Sequence, residues 1–361
     1  MLQPIKVLVV DDSALMRRVI ARMLETQADI KVIDTAAGGE EAIQKVTLLR
    51  PDVVTMDVEM PGLNGVETVT RLMRQCPVPV IMLSAHTTEG ARVTMEALAA
   101  GAVDFVPKPV KPGGAEKMAA ELTRKIRVAR RASPGRCMAT PAPAPPRPEP
   151  GIKPARPAPA AAPVEKTASG RVELVVVGSS TGGPAALQSL LPALPANFPC
   201  GVVVVQHIPV GFSGPMAEHL NRRCRMEVKH AEHGDRVLPG RVLVAPAGYD
   251  LFLRRYGDRL SVSLERSNKP VPPGGFRPSV DVVMNSAAQV AGSRAVGVLL
   301  TGMGRDGARG MLAIRERGGR TIAQDESTCV VYGMPRAAVE LGAAEKVLPL
   351  QQIAGELMRM V

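Results

Sequence analysis

The sequence predicts two α/β domains, each built on a parallel sheet, joined by a spacer with no core of its own. Three observations carry this. Short apolar, β-branched runs alternate with longer helical patterns in both halves, an order that leads to parallel strands with helices on both faces. Between Ser133 and Pro163, 31 residues include eleven Pro and eight Ala and almost nothing apolar beyond Met138 and Ile152. The 361 residues suit two domains at roughly 100–200 residues each.

In the first half, Lys6–Val10 reads as a strand, Ala14–Glu25 as a helix, Val53–Met56 as a strand and Val66–Gln75 as a helix. Val80–Leu83 follows as a strand, Ala91–Ala100 as a helix, Asp104–Val106 as a short strand and Ala115–Ala129 as a helix. In the second half, Leu174–Val177, Val202–Val205 and Ala295–Leu300 are continuous apolar runs, as expected for strands covered on both faces. Pro215–Arg225 reads as a helix that carries His219. The domains then run over 1–131 and 171–361. Residues 132–170 form an extended, polyproline-like tether, with a partner-docking motif as the alternative.

Composition narrows the function. At 45% hydrophobic and 22% charged residues the chain can bury real cores. No apolar run approaches the ~18 residues of a membrane span, and the opening Met1-Leu2-Gln3-Pro4-Ile5-Lys6 is no signal peptide. The five cysteines are scattered and lack a CxxC pair, which argues against a disulfide framework or a zinc site and for a cytoplasmic protein. The net charge of +11 invites a nucleic-acid partner, but Arg124–Arg171 alone holds eleven Lys/Arg against two Glu. The flanking regions are close to neutral. With 2% aromatics and no Trp there is little to stack bases on, so no nucleic-acid partner is expected.

Ligands in parallel sheets gather at the carboxyl ends of the strands. In the first half those ends carry Asp11-Asp12, then Asp57, then Ser84, then Lys108-Pro109. Three carboxylates at one edge repel unless a hard cation lies between them, and Mg²⁺ suits an all-oxygen donor set. A metal, a hydroxyl and an ammonium around one carboxylate are what an aspartyl-phosphate needs to form and persist. Each residue alone has an ordinary explanation, such as a helix cap for Asp12 or Ser13. Four coincidences, each directly after its own strand, favour chemistry.

The pattern Val9-Val10-Asp11-Asp12-Ser13, Met56-Asp57-Val58-Glu59-Met60-Pro61-Gly62-Leu63-Asn64-Gly65, Ser84-Ala85 and Pro107-Lys108-Pro109 resembles a response-regulator receiver domain. The resemblance implies a flavodoxin-like, five-stranded parallel sheet, with Asp57 as phosphoacceptor and Asp11, Asp12 and Asp57 around Mg²⁺. It also implies that Ser84 and Lys108 sense the phosphoryl oxygens and that Phe105 is a switch aromatic. Lys108-Pro109 is a candidate cis bond.

In the second half, the strand Leu174–Val177 runs into Gly178-Ser179-Ser180-Thr181-Gly182-Gly183-Pro184. Such a turn either cradles a phosphate on helix-terminal amides or presents a serine beside an oxyanion hole. The spacing is not GxGxxG, and Leu194–Val205 contains no Asp or Glu to hold a ribose, which weakens the nucleotide reading. A serine needs a base. His207 follows the strand Val202–Val205 through Gln206 and so reaches the same sheet edge, whereas His86 lies in the first half and His219 on a helix. His230 and His233 sit in a polar stretch without an obvious third metal ligand. The strand Ala295–Leu300 leads through Thr301-Gly302-Met303-Gly304-Arg305 to Asp306, a carboxylate able to fix the imidazole tautomer. Thr181, Gly182, Gly183 and Met303 are candidates for the oxyanion turn.

This half resembles the catalytic domain of the CheB family of chemotaxis methylesterases and glutamine deamidases. The resemblance rests on Gly178–Gly183, Gln206-His207-Ile208-Pro209, Arg277-Pro278-Ser279-Val280-Asp281, Leu300–Ala308 and Val331-Tyr332-Gly333-Met334-Pro335-Arg336. It implies a doubly wound, mostly parallel α/β hydrolytic domain with a Ser180–His207–Asp306 triad. Ser180 aligns as the nucleophile, with Ser179 as its competitor. The implied activity is hydrolysis of glutamate γ-methyl esters and deamidation of glutamines on chemoreceptors, switched by a histidine kinase that phosphorylates Asp57. The expected protein is a monomer, at the membrane only through its receptors, with Mg²⁺ at the receiver and no cofactor for hydrolysis. Two other classes remain at this level: a receiver fused to a nucleotide-binding domain, and a catalytically idle binding module.

Overall fold

The computed structural model describes residues 3–85, 87–109, 114–130, 171–266 and 276–361. His86 and the tether at 132–170 lie outside these residues.

The first half alternates strand and helix throughout: β1 (Ile5–Val10), α1 (Ala14–Glu25), β2 (Ile30–Ala36), α2 (Gly39–Leu49), β3 (Val53–Asp57), α3 (Gly65–Gln75), β4 (Val80–Ser84), α4 (Thr88–Ala99), β5 (Asp104–Pro107) and α5 (Gly114–Ala129). The strands lie in the order β2-β1-β3-β4-β5 and every ladder is parallel. The central strands β3 and β4 are buried at every position. That is why their apolar runs are legible in sequence. At the sheet margin β2 is buried only at its two ends and half-buried or exposed between them, and its Lys31, Asp34 and Thr35 interrupt the apolar signal. Neither it nor α2 was anticipated. Helix starts follow side-chain chemistry, with Ser13, Asn64 and Thr87 each accepting a backbone N–H of the following turn.

The second half contains β6 (Leu174–Ser179), α6 (Gly183–Leu190), β7 (Gly201–Gln206), α7 (Ser213–Asn221), β8 (Glu227–His230), β9 (Arg241–Val244), β10 (Asp250–Tyr256) and β11 (Arg259–Glu265). It continues with α8 (Val280–Ala291), β12 (Ala295–Leu299), α9 (Ala308–Glu316), β13 (Arg320–Gln324), α10 (Met334–Glu340), β14 (Lys346–Leu348) and α11 (Leu350–Met360). Seven strands form one sheet in the order β14-β13-β12-β6-β7-β9-β8, parallel in every ladder. The antiparallel pair β10-β11 forms a separate hairpin. The helix expected over Pro215–Arg225 starts earlier and stops at Asn221. Lys108-Pro109 is not cis; the cis bond among the described residues is Arg277-Pro278.

The order of this sheet locates its site. From β6 the chain adds β7, β8 and β9 on one side, with β9 between β7 and β8, and then β12, β13 and β14 on the other. The reversal at β6 opens a crevice beyond the carboxyl ends of β12, β6 and β7. Ser180, His207 and Asp306 lie in the segments that leave those three strands.

Candidate active site

Two close approaches shape the turn after β6. Gly182 has a left-handed backbone (φ 77°), and a Cβ there would fall 2.6 Å from Cβ of Val330, so only glycine fits without strain. Gly302 lies against the serine itself: a Cβ added to it would come within 2.8 Å of Ser180 Cβ. Parallel pairing then brings Ser179 level with Gln206, and the His207 N–H donates to the Ser179 carbonyl at 3.0 Å. Ser180 and His207 thus occupy adjacent strand exits, only 7% and 8% exposed.

The two serines play distinct structural parts. Ser179 is fully buried and its hydroxyl donates to Gln206 Oε1 at 2.6 Å. The Gln206 amide in turn donates to the carbonyls of Ser180 and His207, both at 2.9 Å. Gln206 therefore ties the serine turn to the histidine turn. Thr301 makes the matching tie from β12, donating to the Thr181 carbonyl at 3.0 Å and accepting the Val331 N–H at 2.9 Å. Sequence reasoning singled out neither residue for this role. Gln206 ends β7 and Thr301 lies just past β12, but nothing in one dimension says which carbonyl a side-chain amide or hydroxyl will reach.

His207 meets its acid. Its Nε2 lies 2.8 Å from Asp306 Oδ2, and the ring is stacked on Phe276 at 3.9 Å between centroids and 9° between planes. Asp306 also accepts the Val280 N–H (2.7 Å), the Asp281 N–H (3.0 Å) and the Ser279 hydroxyl (2.9 Å). Burial alone would push its carboxyl up. The hydrogen bonds from His207 and from the α8 amides outweigh that and hold it below the usual carboxylate range. Nδ1 of His207 is buried and has no hydrogen-bond partner among the described residues, so the Ser180 hydroxyl is not yet engaged by the ring. Catalytic hydrogen bonds are often open before substrate arrives.

The backbone amides divide cleanly. The Ser180 N–H is spent on the Thr301 carbonyl at 3.0 Å, and the Gly183 N–H on the Ser180 carbonyl at 2.7 Å. Gly183 is therefore removed from the oxyanion candidates. Thr181, Gly182 and Met303 make no backbone hydrogen bond through N–H among the described residues. The other histidines stand apart. His219 is buried with both ring nitrogens unpartnered, and His230 Nε2 faces the Ser213 hydroxyl at 3.0 Å.

At the N-terminal sheet, one ligand atom from each of Asp11, Asp12 and Asp57 lies within 4.8 Å of the others, the one such cluster among the described residues. Three carboxylates on adjacent strand ends are a hard, all-oxygen donor set that fits Mg²⁺. The Lys108 ammonium donates to Asp57 at 2.6 Å and to Asp11 at 2.8 Å. Burial pushes the Asp57 carboxyl up to about 6; the Asp11 charge adds to this and Lys108 opposes it. Ser84 is one strand away, but its hydroxyl points elsewhere. It donates to the Gly90 carbonyl at 3.1 Å and accepts from Thr94 at 2.7 Å, both on α4.

The two halves touch near these sites. Helix α4 packs on α6 and α7. Phe105 of β5, 2% exposed, lies 4.5 Å from Phe212 between ring centroids. From α5, Arg124 Nη1 donates to Met303 Sδ at 2.9 Å. A cavity of about 530 Å³ between Arg124, Met303, Tyr332 and Arg336 opens beside that contact. Among the described residues no helix is long and apolar enough to cross a membrane.

Comparison with known proteins matches both halves of the chain. The family model described as CheB methylesterase matches residues 175–357, and that described as response regulator receiver domain matches residues 7–120. The protein-glutamate methylesterase/protein-glutamine glutaminase 1 of Carboxydothermus hydrogenoformans is 48% identical over 98% of each chain. The protein-glutamate methylesterase/protein-glutamine glutaminase 2 of Pseudomonas aeruginosa is 45% identical over 99% of this chain and 97% of its own. The crystal structure of the Thermotoga maritima CheB methylesterase catalytic domain superposes with a TM-score of 0.51 at 42% identity, covering 53% of this chain and 99% of that one. With a receiver sheet ahead of a hydrolytic one and relatives this similar end to end, the chain is a hydrolase of the CheB methylesterase family.

Proposed function

We propose that this chain hydrolyses glutamate γ-methyl esters and deamidates specific glutamines on chemoreceptors, with Ser180 as nucleophile, His207 as base and Asp306 as orienting acid. The observation that carries the reading is the part-buried His207–Asp306 pair, whose other ring nitrogen is orphaned one strand exit from Ser180. Asp306 holds the proton on Nε2, which leaves Nδ1 as the lone-pair acceptor. Nδ1 takes the proton of the Ser180 hydroxyl as Oγ attacks the ester carbonyl. The oxyanion is held by free N–H groups among Thr181, Gly182 and Met303. Collapse breaks the C–O bond, and the imidazolium returns the proton to departing methanol. Water then repeats the cycle on the acyl-serine and leaves a carboxylate. With a glutamine side chain the leaving group is ammonia and the proton path is the same. Each oxyanion donor contributes about 3–4 kcal/mol to the barrier reduction.

The regulatory part of the proposal starts at Asp57. A histidine kinase supplies a phosphoryl group to a carboxylate oxygen of Asp57; Asp11, Asp12 and Asp57 would hold a Mg²⁺, which would supply neutralising charge there. Phosphoryl oxygens compete for the Ser84 hydroxyl, which now binds Gly90 and Thr94 on α4, and for Lys108. Helix α4 packs on α6 and α7, and Phe105 packs on Phe212. A shift at Ser84 therefore loosens the face that lies beside Met303, and phosphorylation moves a docked–open equilibrium toward the open form.

Methanol release from methylated receptor membranes tests the chemistry. Wild type and Ser179→Ala should release methanol, and Ser180→Ala should not. Release by Ser180→Ala would overturn the assignment. A small phosphodonor should stimulate wild type and not Asp57→Asn; equal stimulation of both removes the regulatory claim.

A further inference from the structure

The segment Arg277-Pro278-Ser279-Val280-Asp281 has no part in the chemistry above, yet it surrounds the acid. Two carboxylates are exchanged between the starts of two helices. Asp306, which precedes α9, sits on the start of α8: its Oδ1 takes the Ser279 hydroxyl and the Asp281 N–H, and its Oδ2 takes the Val280 N–H beside His207 Nε2. Asp281, in the first turn of α8, reaches back to the start of α9, where its Oδ1 accepts the Gly307 N–H at 2.9 Å and the Gly310 N–H at 2.8 Å. Each anion occupies the positive end of the other's helix, where free N–H groups and the helix dipole favour it.

This arrangement is more than capping. The last torsion of an aspartate side chain is broad, so one bond to His207 would leave the carboxylate plane free to swing. Four donors on two oxygens remove that freedom. Asp281 then fixes the loop that carries Asp306, because its acceptor oxygen holds both Gly307 and Gly310. The half-buried Asp281 carboxyl is pushed up by desolvation, with the nearby Asp306 charge adding to it. The site thus tolerates an unfavourable second carboxyl. Ser279 has two jobs at once: its hydroxyl accepts the Val282 N–H as the cap of α8 and donates to Asp306.

We infer that Ser279 and Asp281 are positioning residues for the reaction, acting through Asp306 to hold the plane and tautomer of His207. The inference rests on the triad reading proposed above.

Ser279→Gly separates positioning from folding, because glycine replaces serine at a helix cap at little cost in stability while the donor to Asp306 is lost. Full-length Ser279→Gly should unfold near the wild-type temperature but lose about 10- to 100-fold in kcat at unchanged KM, the effect of one missing hydrogen bond to a charged group. Ser279→Thr, which restores the hydroxyl, should recover most of that. Asp281→Asn should lower kcat in the same way. A readout independent of turnover is the downfield proton resonance of the His207–Asp306 hydrogen bond, expected to weaken or broaden in Ser279→Gly and return in Ser279→Thr. Wild-type kcat together with an unchanged resonance in Ser279→Gly would overturn the inference. Labelling by a fluorophosphonate keeps the two readings apart. No adduct on Ser180 in wild type defeats the triad itself, whereas equal labelling rates in wild type and Ser279→Gly defeat only the positioning role.

Discussion

Both halves place a critical aspartate at the carboxyl end of a parallel sheet, and they treat it in opposite ways. Asp57 shares its edge with Asp11 and Asp12, and its charged form is disfavoured, with the carboxyl pushed up to about 6. Asp306 has both oxygens filled by donors and is held below the usual range. Two carboxylates of the same type are thus set apart by what surrounds them. A site whose charges repel responds strongly to any group that neutralises them, which is what a switch requires. A site whose acceptors are saturated does not reorganise during a reaction, which is what electrostatic catalysis requires.

The largest effect should come from the static site. Ser180→Ala should reduce methanol release by about 10⁶-fold, the loss expected when a triad nucleophile is removed. Ser179→Ala should keep most activity, because the Ser179 hydroxyl is turned to Gln206 Oε1. A nucleophilic role for Ser179 would reverse that order in the same assay. Asp306→Asn comes next: the fold should remain and kcat should fall about 10⁴-fold through loss of the correct tautomer. A fall of less than tenfold would mean that His207 is oriented by Phe276 and packing alone.

The responsive site should yield smaller changes. Phe105→Leu keeps an apolar side chain but loses the ring pair with Phe212. At about 0.5–1.5 kcal/mol for such a pair, turnover without phosphodonor should rise about 2- to 10-fold and the stimulation by phosphodonor should shrink. An unchanged ratio would place the coupling elsewhere on the α4–β5–α5 face.

The smallest and most specific test uses acid. A carboxyl with a raised folded value binds its proton more tightly when folded, so at Asp57 stability is lost as pH rises from about 4 through about 6. Asp306 has the opposite sign: its contribution is present above about 4 and is lost as pH falls through its lowered value. Without Mg²⁺, Asp57→Asn should raise the unfolding temperature at pH 7, and Asp306→Asn should lower it. Added Mg²⁺ should reduce the gain from Asp57→Asn by stabilising the wild-type cluster. Shifts of the same sign in both variants would end the contrast drawn between the two sites.

Legibility followed burial. Strands covered on both faces, such as β3, β4, β6, β7 and β12, are apolar without interruption and could be read directly. β2, half-exposed at the sheet margin, could not, nor could the β10–β11 hairpin, whose burial alternates. The proposed reactive residues could be assigned to one edge because Ser180 and His207 directly follow buried strands and Asp306 follows β12 through a short glycine-containing loop. Gly183 as an oxyanion donor was not a safe reading, since only the folded turn reveals that its N–H is taken by Ser180.

By itself the sequence determined which side chains are present and which strand ends deliver them, because continuous burial and residue type are local properties of the chain. Only tertiary structure decided which donors meet which acceptors. The exchange of Asp281 and Asp306 between two helix starts, the tie from Gln206 to the Ser180 turn, and the facing of Phe105 on Phe212 all join residues far apart in sequence. Hydrogen bonds and ring contacts depend on distances of a few ångströms and on direction, and those are set when the layers pack.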